Sequence, residues 1–354
     1  MTAPRDADPM TLLAAPFAAA EIPDTGPEGL LVLRARPSAA FAPGAFAAEQ
    51  PFRPLHDALA AQGVRVWPDL PADLPAFPAA AALATRSKAA TRADFARAWA
   101  RTRPGGAVLA AGLKTDGIES LQKALRALIP LDGVRPGGHG RVLWTTRTEA
   151  TPSAFADWIA EAAPAPRVIL PDGAPMLTCA GAFSWTEVDP ASALLAAAAP
   201  PLSGRVADLG AGWGFLARAL LAASPDIAAL DLVEADHAVL ACARANLADP
   251  RAAFHWADAG ALGLPGAVLP RGGHDWVVTN PPFHAGRTAD PALGAAFIAA
   301  AARLLRPSGR LLLVANRALP YERALAEAFT EVERFAETPA FKLIRAARPR
   351  RPGR

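Results

Sequence analysis

A chain of 354 residues with 52% apolar and 19% charged side chains exceeds what one hydrophobic core covers, which predicts two globular domains and excludes a disordered or fibrous protein. A formal net charge of +3 permits a polyanionic partner without demanding one, since part of the excess falls in the arginine-rich stretch 345–354. Two cysteines, Cys179 and Cys242, supply neither a metal-binding spacing nor a disulfide framework, so a cytoplasmic protein without a bound metal is expected.

The apolar stretch 11–20 is too short to cross a bilayer and follows mixed charges (Arg5, Asp6, Asp8), so neither a membrane anchor nor a signal peptide is expected. Strands are predicted next over 29–33, 63–67, 106–111 and 141–145, and helices over 52–61, 92–100, 118–127 and 153–162. That alternation implies a parallel sheet covered on both faces. Prolines thicken between Pro164 and Pro201, where Gly181-Ala-Phe-Ser-Trp185 leads into a helix over 190–199, and a domain junction is placed there. The expected organisation is a first domain over 1–165, a linker and the start of the second domain over 166–200, a second domain over 201–347, and a basic tail over 348–354.

In the second half, strands are predicted over 205–208, 228–234, 253–256, 276–279, 310–314, 331–336 and 340–346, with helices over 215–223, 238–247, 292–305 and 321–329. Two α/β sheets of similar rhythm suggest an ancient duplication. The halves differ in equipment: the strand over 29–33 runs into Arg-Ala-Arg-Pro-Ser, without a glycine to let the backbone approach a ligand, and no Asn-Pro-Pro precedes residue 200.

The second half carries Asp208-Leu-Gly-Ala-Gly-Trp-Gly214 between a strand and a helix. Gly210, Gly212 and Gly214 allow positive φ and close backbone contact with a ligand, and the helix start offers unpaired N–H groups. The order departs from the dinucleotide Gly-x-Gly-x-x-Gly pattern, and Asp208 suits a cationic amino-acid ligand better than a phosphate. Glu234 closes the next strand, where a carboxylate takes both ribose hydroxyls, and Asp258 follows the one after, within reach of an adenine amine. The ligand implied is S-adenosylmethionine.

Asn280-Pro-Pro-Phe283 follows the buried-looking strand 276–279, at the sheet edge where such folds bind ligands. The Asn280 carboxamide oxygen can accept one hydrogen of a planar amine and the Pro281 carbonyl the other, freeing the nitrogen lone pair for in-line attack on a sulfonium methyl. Pro281 and Pro282 fix φ and remove competing N–H groups, and Phe283 offers a stacking face for a flipped base.

The runs Gly181-Ala-Phe-Ser, Asp208-Leu-Gly-Ala-Gly, Asn280-Pro-Pro-Phe-His-Ala-Gly286, Val314-Ala-Asn-Arg-Ala-Leu-Pro-Tyr321 and Phe341-Lys-Leu-Ile-Arg345 resemble bacterial ribosomal RNA guanine-N2 methyltransferases, both the small-subunit methyltransferase C type and its large-subunit relative. The resemblance implies two tandem Rossmann-like class I methyltransferase domains. The first, around Gly112-Leu-Lys-Thr-Asp-Gly-Ile118, is degenerate and serves RNA recognition or stability. It also implies a substrate in ribosomal RNA, 16S above all, or in a ribosomal subunit; the sequence is silent on oligomeric state, with a monomer favoured. By the same resemblance Phe183, Asp208, Gly210, Ala211, Gly212, Gly214, Glu234, Asp258 and Asn280 border the cofactor. Asn280, Pro281, Pro282 and Phe283 hold the amine, and His284, Arg317 and Lys342 face the RNA. Two rivals stand beside this reading: a protein-glutamine or other amine N-methyltransferase, and a noncatalytic RNA-binding assembly factor with a vestigial pocket.

Overall fold

The computed structural model describes residues 8–350 apart from 27, 28, 43, 283, 286, 287 and 290, and gives the backbone alone for 284, 285, 288 and 289. The chain falls into two compact units, Met1–Pro164 with Cys179–Gly181, and Ala165–Thr178 with Ala182–Arg354.

In the first unit Asp8 accepts from the Met10 amide and Pro9 occupies the first turn, so the apolar stretch winds into helix α1 (Pro9–Ala18). There follow β1 (Leu30–Leu33), β2 (Phe46–Glu49), α2 (Arg53–Ala61), β3 (Arg65–Trp67), β4 (Phe77–Leu83), α3 (Lys88–Ala100), β5 (Thr102–Leu113), α4 (Ile118–Arg126), β6 (Gly133–Gly137), β7 (Gly140–Thr146) and α5 (Ala154–Ala162). The strands lie in the order β3-β2-β1-β4-β5-β7-β6. Alternate residues point to opposite faces. Leu31, Leu33, Ala80 and Ala82 pack against Phe95, Trp99, Leu121 and Phe155, while Leu30, Val32, Ala79 and Ala81 pack against Met10, Leu13 and Leu59.

The second unit opens with the hairpin β8 (Ala165–Ile169) and β9 (Pro175–Thr178), and α6 (Pro190–Ala198), across the stretch expected as a linker and the start of the second domain. It continues through β10 (Gly204–Leu209), α7 (Phe215–Ala223), β11 (Ile227–Glu234), α8 (His237–Asn246), β12 (Ala252–Trp256), β13 (His274–Thr279), β14 (His284–Ala285), β15 (Thr288–Ala289), α9 (Pro291–Leu304), β16 (Leu305–Asn316), α10 (Glu322–Ala328), β17 (Phe329–Glu337) and β18 (Phe341–Pro349). Its main sheet runs β12-β11-β10-β13-β16-β18-β17, the topology of the first unit repeated strand for strand.

Neither sheet is wholly parallel as the alternation implied: β5–β7, β6–β7, β16–β18 and β17–β18 are antiparallel. The cause is connection length, because a parallel pair needs a crossover of roughly a dozen residues. Gly138 and His139 alone join β6 to β7, both with positive φ (43° and 64°), the backbone of a tight hairpin turn. Residues 338–340 likewise force β17 back alongside β18. In the second unit Leu209, Val277, Leu311 and Leu313 face Ile298 and Tyr321, while Val206, Val278, Leu312 and Val314 face Leu216 and Leu220.

Candidate active site

Strand β10 lies between β11 and β13, pairing Leu209 with Val233 on one side and with Thr279 on the other. The chain leaves β10 through α7 toward β11 and returns later on the opposite side as β13, so a crevice opens beyond the carboxyl ends of these strands, where open α/β sheets bind ligands.

The glycine run shapes one wall of that crevice. The Gly210 and Ala211 amides both donate to the Val233 carbonyl, at 2.9 and 3.0 Å, turning the chain off β10. Gly210 and Gly212 are left-handed, at φ +74° and +56°, and a Cβ added at Gly212 would meet nothing within 4 Å. That side of the loop therefore faces open space. The Gly212 amide donates to Glu234 Oε2 at 2.9 Å and the Asp236 amide to Glu234 Oε1 at 2.9 Å, which fixes the carboxylate at the end of β11. Gly214, at φ +91°, begins α7.

Two acids give the crevice its charge preference. Asp208 is 1% exposed, and its Oδ2 has no hydrogen-bond partner among the described residues. Burial, reinforced by the charge of Glu234, pushes the Asp208 carboxyl up to about 7, and burial raises Glu234 as well, against the amide bonds from Asp236 and Gly212. A buried carboxylate with one oxygen left unpartnered, beside a second acid, fits a ligand that brings positive charge, as S-adenosylmethionine does. Asp258 caps the single turn Ala259–Ala261, its Oδ1 accepting from the Gly260 amide at 2.8 Å. The Phe183 ring is 59% exposed while its carbonyl accepts from Trp213 Nε1 at 3.2 Å, so the loop's own tryptophan holds the segment carrying Phe183.

The opposite wall comes from β13. Thr279 Oγ1 donates to the Leu209 carbonyl at 2.7 Å, tying the strand before Asn280 to the strand before the glycines. Asn280 Nδ2 donates to Asp189 Oδ2 and to Ser192 Oγ, each at 2.9 Å. No described residue donates to Asn280 Oδ1 or to the Pro281 carbonyl, the two acceptors expected to grip an amine. Pro281 is buried and Pro282 exposed; Phe283 lies outside the described residues, and His284 enters β14 with only its backbone described.

Asp189 and Ser192 escaped sequence reasoning. Asp189-Pro190-Ala-Ser192 reads as a helix start, with an acid at the N-cap and proline at the first turn, and Asp189 does accept from the Ser192 amide at 2.7 Å. Nothing local signals that the same oxygen also receives Asn280.

The two cations expected to face RNA lie in different environments. Arg317 is exposed beyond the carboxyl end of β16 and pairs with no carboxylate among the described residues. Lys342 requires a correction: it is 1% exposed, and its Nζ donates to the Leu319 carbonyl and Glu322 Oε1, both at 2.6 Å, which withdraws it from any phosphate. Its bonds hold the turn between β16 and α10.

The corresponding edge of the first unit is filled by its own side chains. Arg34 stands where Gly210 stands: it follows β1, is left-handed at φ 60°, and its amide donates to the Glu49 carbonyl at 2.8 Å as that of Gly210 does to Val233. Arg34 Nε donates to Asp94 at 3.0 Å, Arg97 pairs with Glu49, and Gln50 Nε2 donates to the Ala35 carbonyl at 2.6 Å. Side chains thus occupy the edge that glycines leave open in the second unit.

Residues 173–345 match the methyltransferase small domain family. The ribosomal RNA small subunit methyltransferase C of Shewanella amazonensis is 32% identical over 73% of this chain and 74% of its own length, and that of Shewanella oneidensis is 30% identical over 68% of each. Among solved structures, the T. thermophilus 16S rRNA N2 G1207 methyltransferase in complex with AdoMet and guanosine superposes with a TM-score of 0.75 at 27% identity, covering 96% of this chain and 92% of that one. At that identity and coverage, the chain belongs to the ribosomal RNA small subunit methyltransferase C family.

Proposed function

We propose that this protein transfers a methyl group from S-adenosylmethionine to the exocyclic N2 amine of a guanine in ribosomal RNA, most directly 16S RNA. The observation that carries the reading is the Asn280 carboxamide: both its hydrogens are engaged by Asp189 and Ser192, and its oxygen is left for a donor beside the Asp208 crevice. Membership of the methyltransferase C family and the likeness to an enzyme solved with AdoMet and guanosine support guanine as that donor.

S-adenosylmethionine supplies an electrophilic sulfonium methyl. Asp208, the glycine loop and Glu234 hold the cofactor, with Phe183 and Asp258 at its borders. Asn280 Oδ1 and the Pro281 carbonyl each accept one hydrogen of the guanine amine, drawing nitrogen out of conjugation toward tetrahedral geometry. The nitrogen lone pair so freed would be available to the methyl that the bound cofactor would supply, and the amine proton would pass to solvent once nitrogen is cationic, so no strong general base is required. Pro282 stiffens the loop and Phe283 offers the base a stacking face. Arg317 meets the RNA backbone, and the first unit contributes to RNA recognition or to stability. A ribosomal substrate is consistent with a cytoplasmic enzyme.

Mass spectrometry of nuclease fragments of ribosomal RNA, comparing wild-type and deletion strains, tests the proposal. One N2-methylguanosine is expected to disappear from 16S RNA and to return with the intact gene; an unchanged ribosomal RNA with a lost protein methylation would place the activity on a protein amine instead.

A further inference from the structure

We propose that Asp189 is the positioning residue of the transfer step: with Ser192 it engages both amide hydrogens of Asn280 and so decides which end of that carboxamide meets the substrate amine. The inference rests on the function proposed above.

A carboxamide is nearly symmetric in shape, so packing alone barely separates its two orientations. Chemistry separates them here. Asp189, when ionised, only accepts, and Ser192 Oγ lies at the same 2.9 Å from Asn280 Nδ2. A flipped Asn280 would set its oxygen against the Asp189 oxygen and present N–H groups to an amine that itself donates. The anchor is rigid, because the Asp189 oxygen that receives Asn280 also accepts from the Ser192 amide at 2.7 Å. It sits at the start of α6, whose Ala191 and Leu195 are buried in the core.

The chain contains three asparagines, Asn246, Asn280 and Asn316, so selective 15N-asparagine labelling yields three side-chain NH2 signals, and Asn280→Ala identifies one by its loss. Asp189→Ser keeps a strong N-cap but is too short to reach Asn280. In this variant the Asn280 NH2 signal is expected to shift and to exchange faster with water. The S-adenosylmethionine Kd and RNA KM should stay within about twofold while kcat falls about 100-fold. Asp189→Asn, which can place an oxygen at the same point, should bring kcat back to within about tenfold of wild type. Ser192→Ala, which leaves the capping amide intact, should move the same signal and lower kcat less, and it carries the test if Asp189→Ser fails to fold. An unmoved Asn280 signal, or a moved one with wild-type kcat, overturns the proposal. A wild-type chain that methylates no guanine sinks the function proposed above, and the NH2 signal then upholds or overturns the anchor by itself.

Discussion

The hydroxyl of Thr279 donates to the Leu209 carbonyl at 2.7 Å, and both residues are fully buried at neighbouring strand ends. One hydrogen bond thereby joins the strand that delivers Asn280 to the strand that delivers the glycine loop. Thr279→Val preserves shape and leaves that carbonyl without its donor, a loss of about 1–3 kcal/mol. The expected outcome is a lower thermal midpoint together with a kcat loss larger than the loss of cofactor affinity. An unchanged midpoint and unchanged turnover would show that the strand ends keep their spacing without it.

Asp208 makes cofactor binding depend on pH. Its carboxyl is raised from 3.8 to about 7, so between those values the folded cofactor-free chain binds a proton that the unfolded chain has released. Its contribution to stability is therefore fully present below about pH 3.8 and is lost as pH rises through about 7. A cationic ligand favours the ionised form, so binding expels the proton: affinity should weaken about tenfold for each pH unit below about 6 and level off above 7. Calorimetry at pH 6 in buffers of different ionisation enthalpy should register that released proton. Asp208→Asn should remove the slope, and Asp208→Ala should abolish binding; retained binding with the slope intact would move the cofactor elsewhere.

Lys342 and Arg317 should separate in their effects. Lys342→Met removes the ammonium's bonds to Glu322 and to the Leu319 carbonyl, which keeps the Tyr321 amide, at a cost of about 1–3 kcal/mol, and should lower the thermal midpoint without altering the salt dependence of RNA binding. Arg317→Ala should leave the midpoint alone, weaken RNA binding and reduce the slope of log affinity against log salt by about one. The opposite assignment of the two effects would return Lys342 to the RNA surface.

What the sequence makes legible follows from how local each signal is. Helix α7 is read at its observed bounds, Phe215–Ala223, because a glycine stop and an aliphatic 3.6-residue rhythm are both local. The same holds for the crevice wall built from Asp208, Gly212 and Glu234, whose residue types sit at successive strand ends. Strand β4 stays hidden because Phe77-Pro-Ala-Ala-Ala-Ala-Leu83 is a helix former by propensity, and only its place between β1 and β5 makes it a strand. Lys342 misleads because a charged side chain reads as exposed, whereas its partners lie 20 and 23 positions away in Glu322 and Leu319. Asp189 and Ser192 are silent for the same reason, standing 91 and 88 positions before the side chain they hold.

The grip on the amine is tested most directly by Asn280→Ala, measured in single-turnover methyl transfer to ribosomal RNA beside a calorimetric titration with S-adenosylmethionine. Loss of the carboxamide oxygen should slow transfer by about 100- to 1,000-fold while the dissociation constant changes by no more than about threefold. Wild-type transfer rates in the variant, or a loss of cofactor affinity as large as the loss of rate, would contradict it.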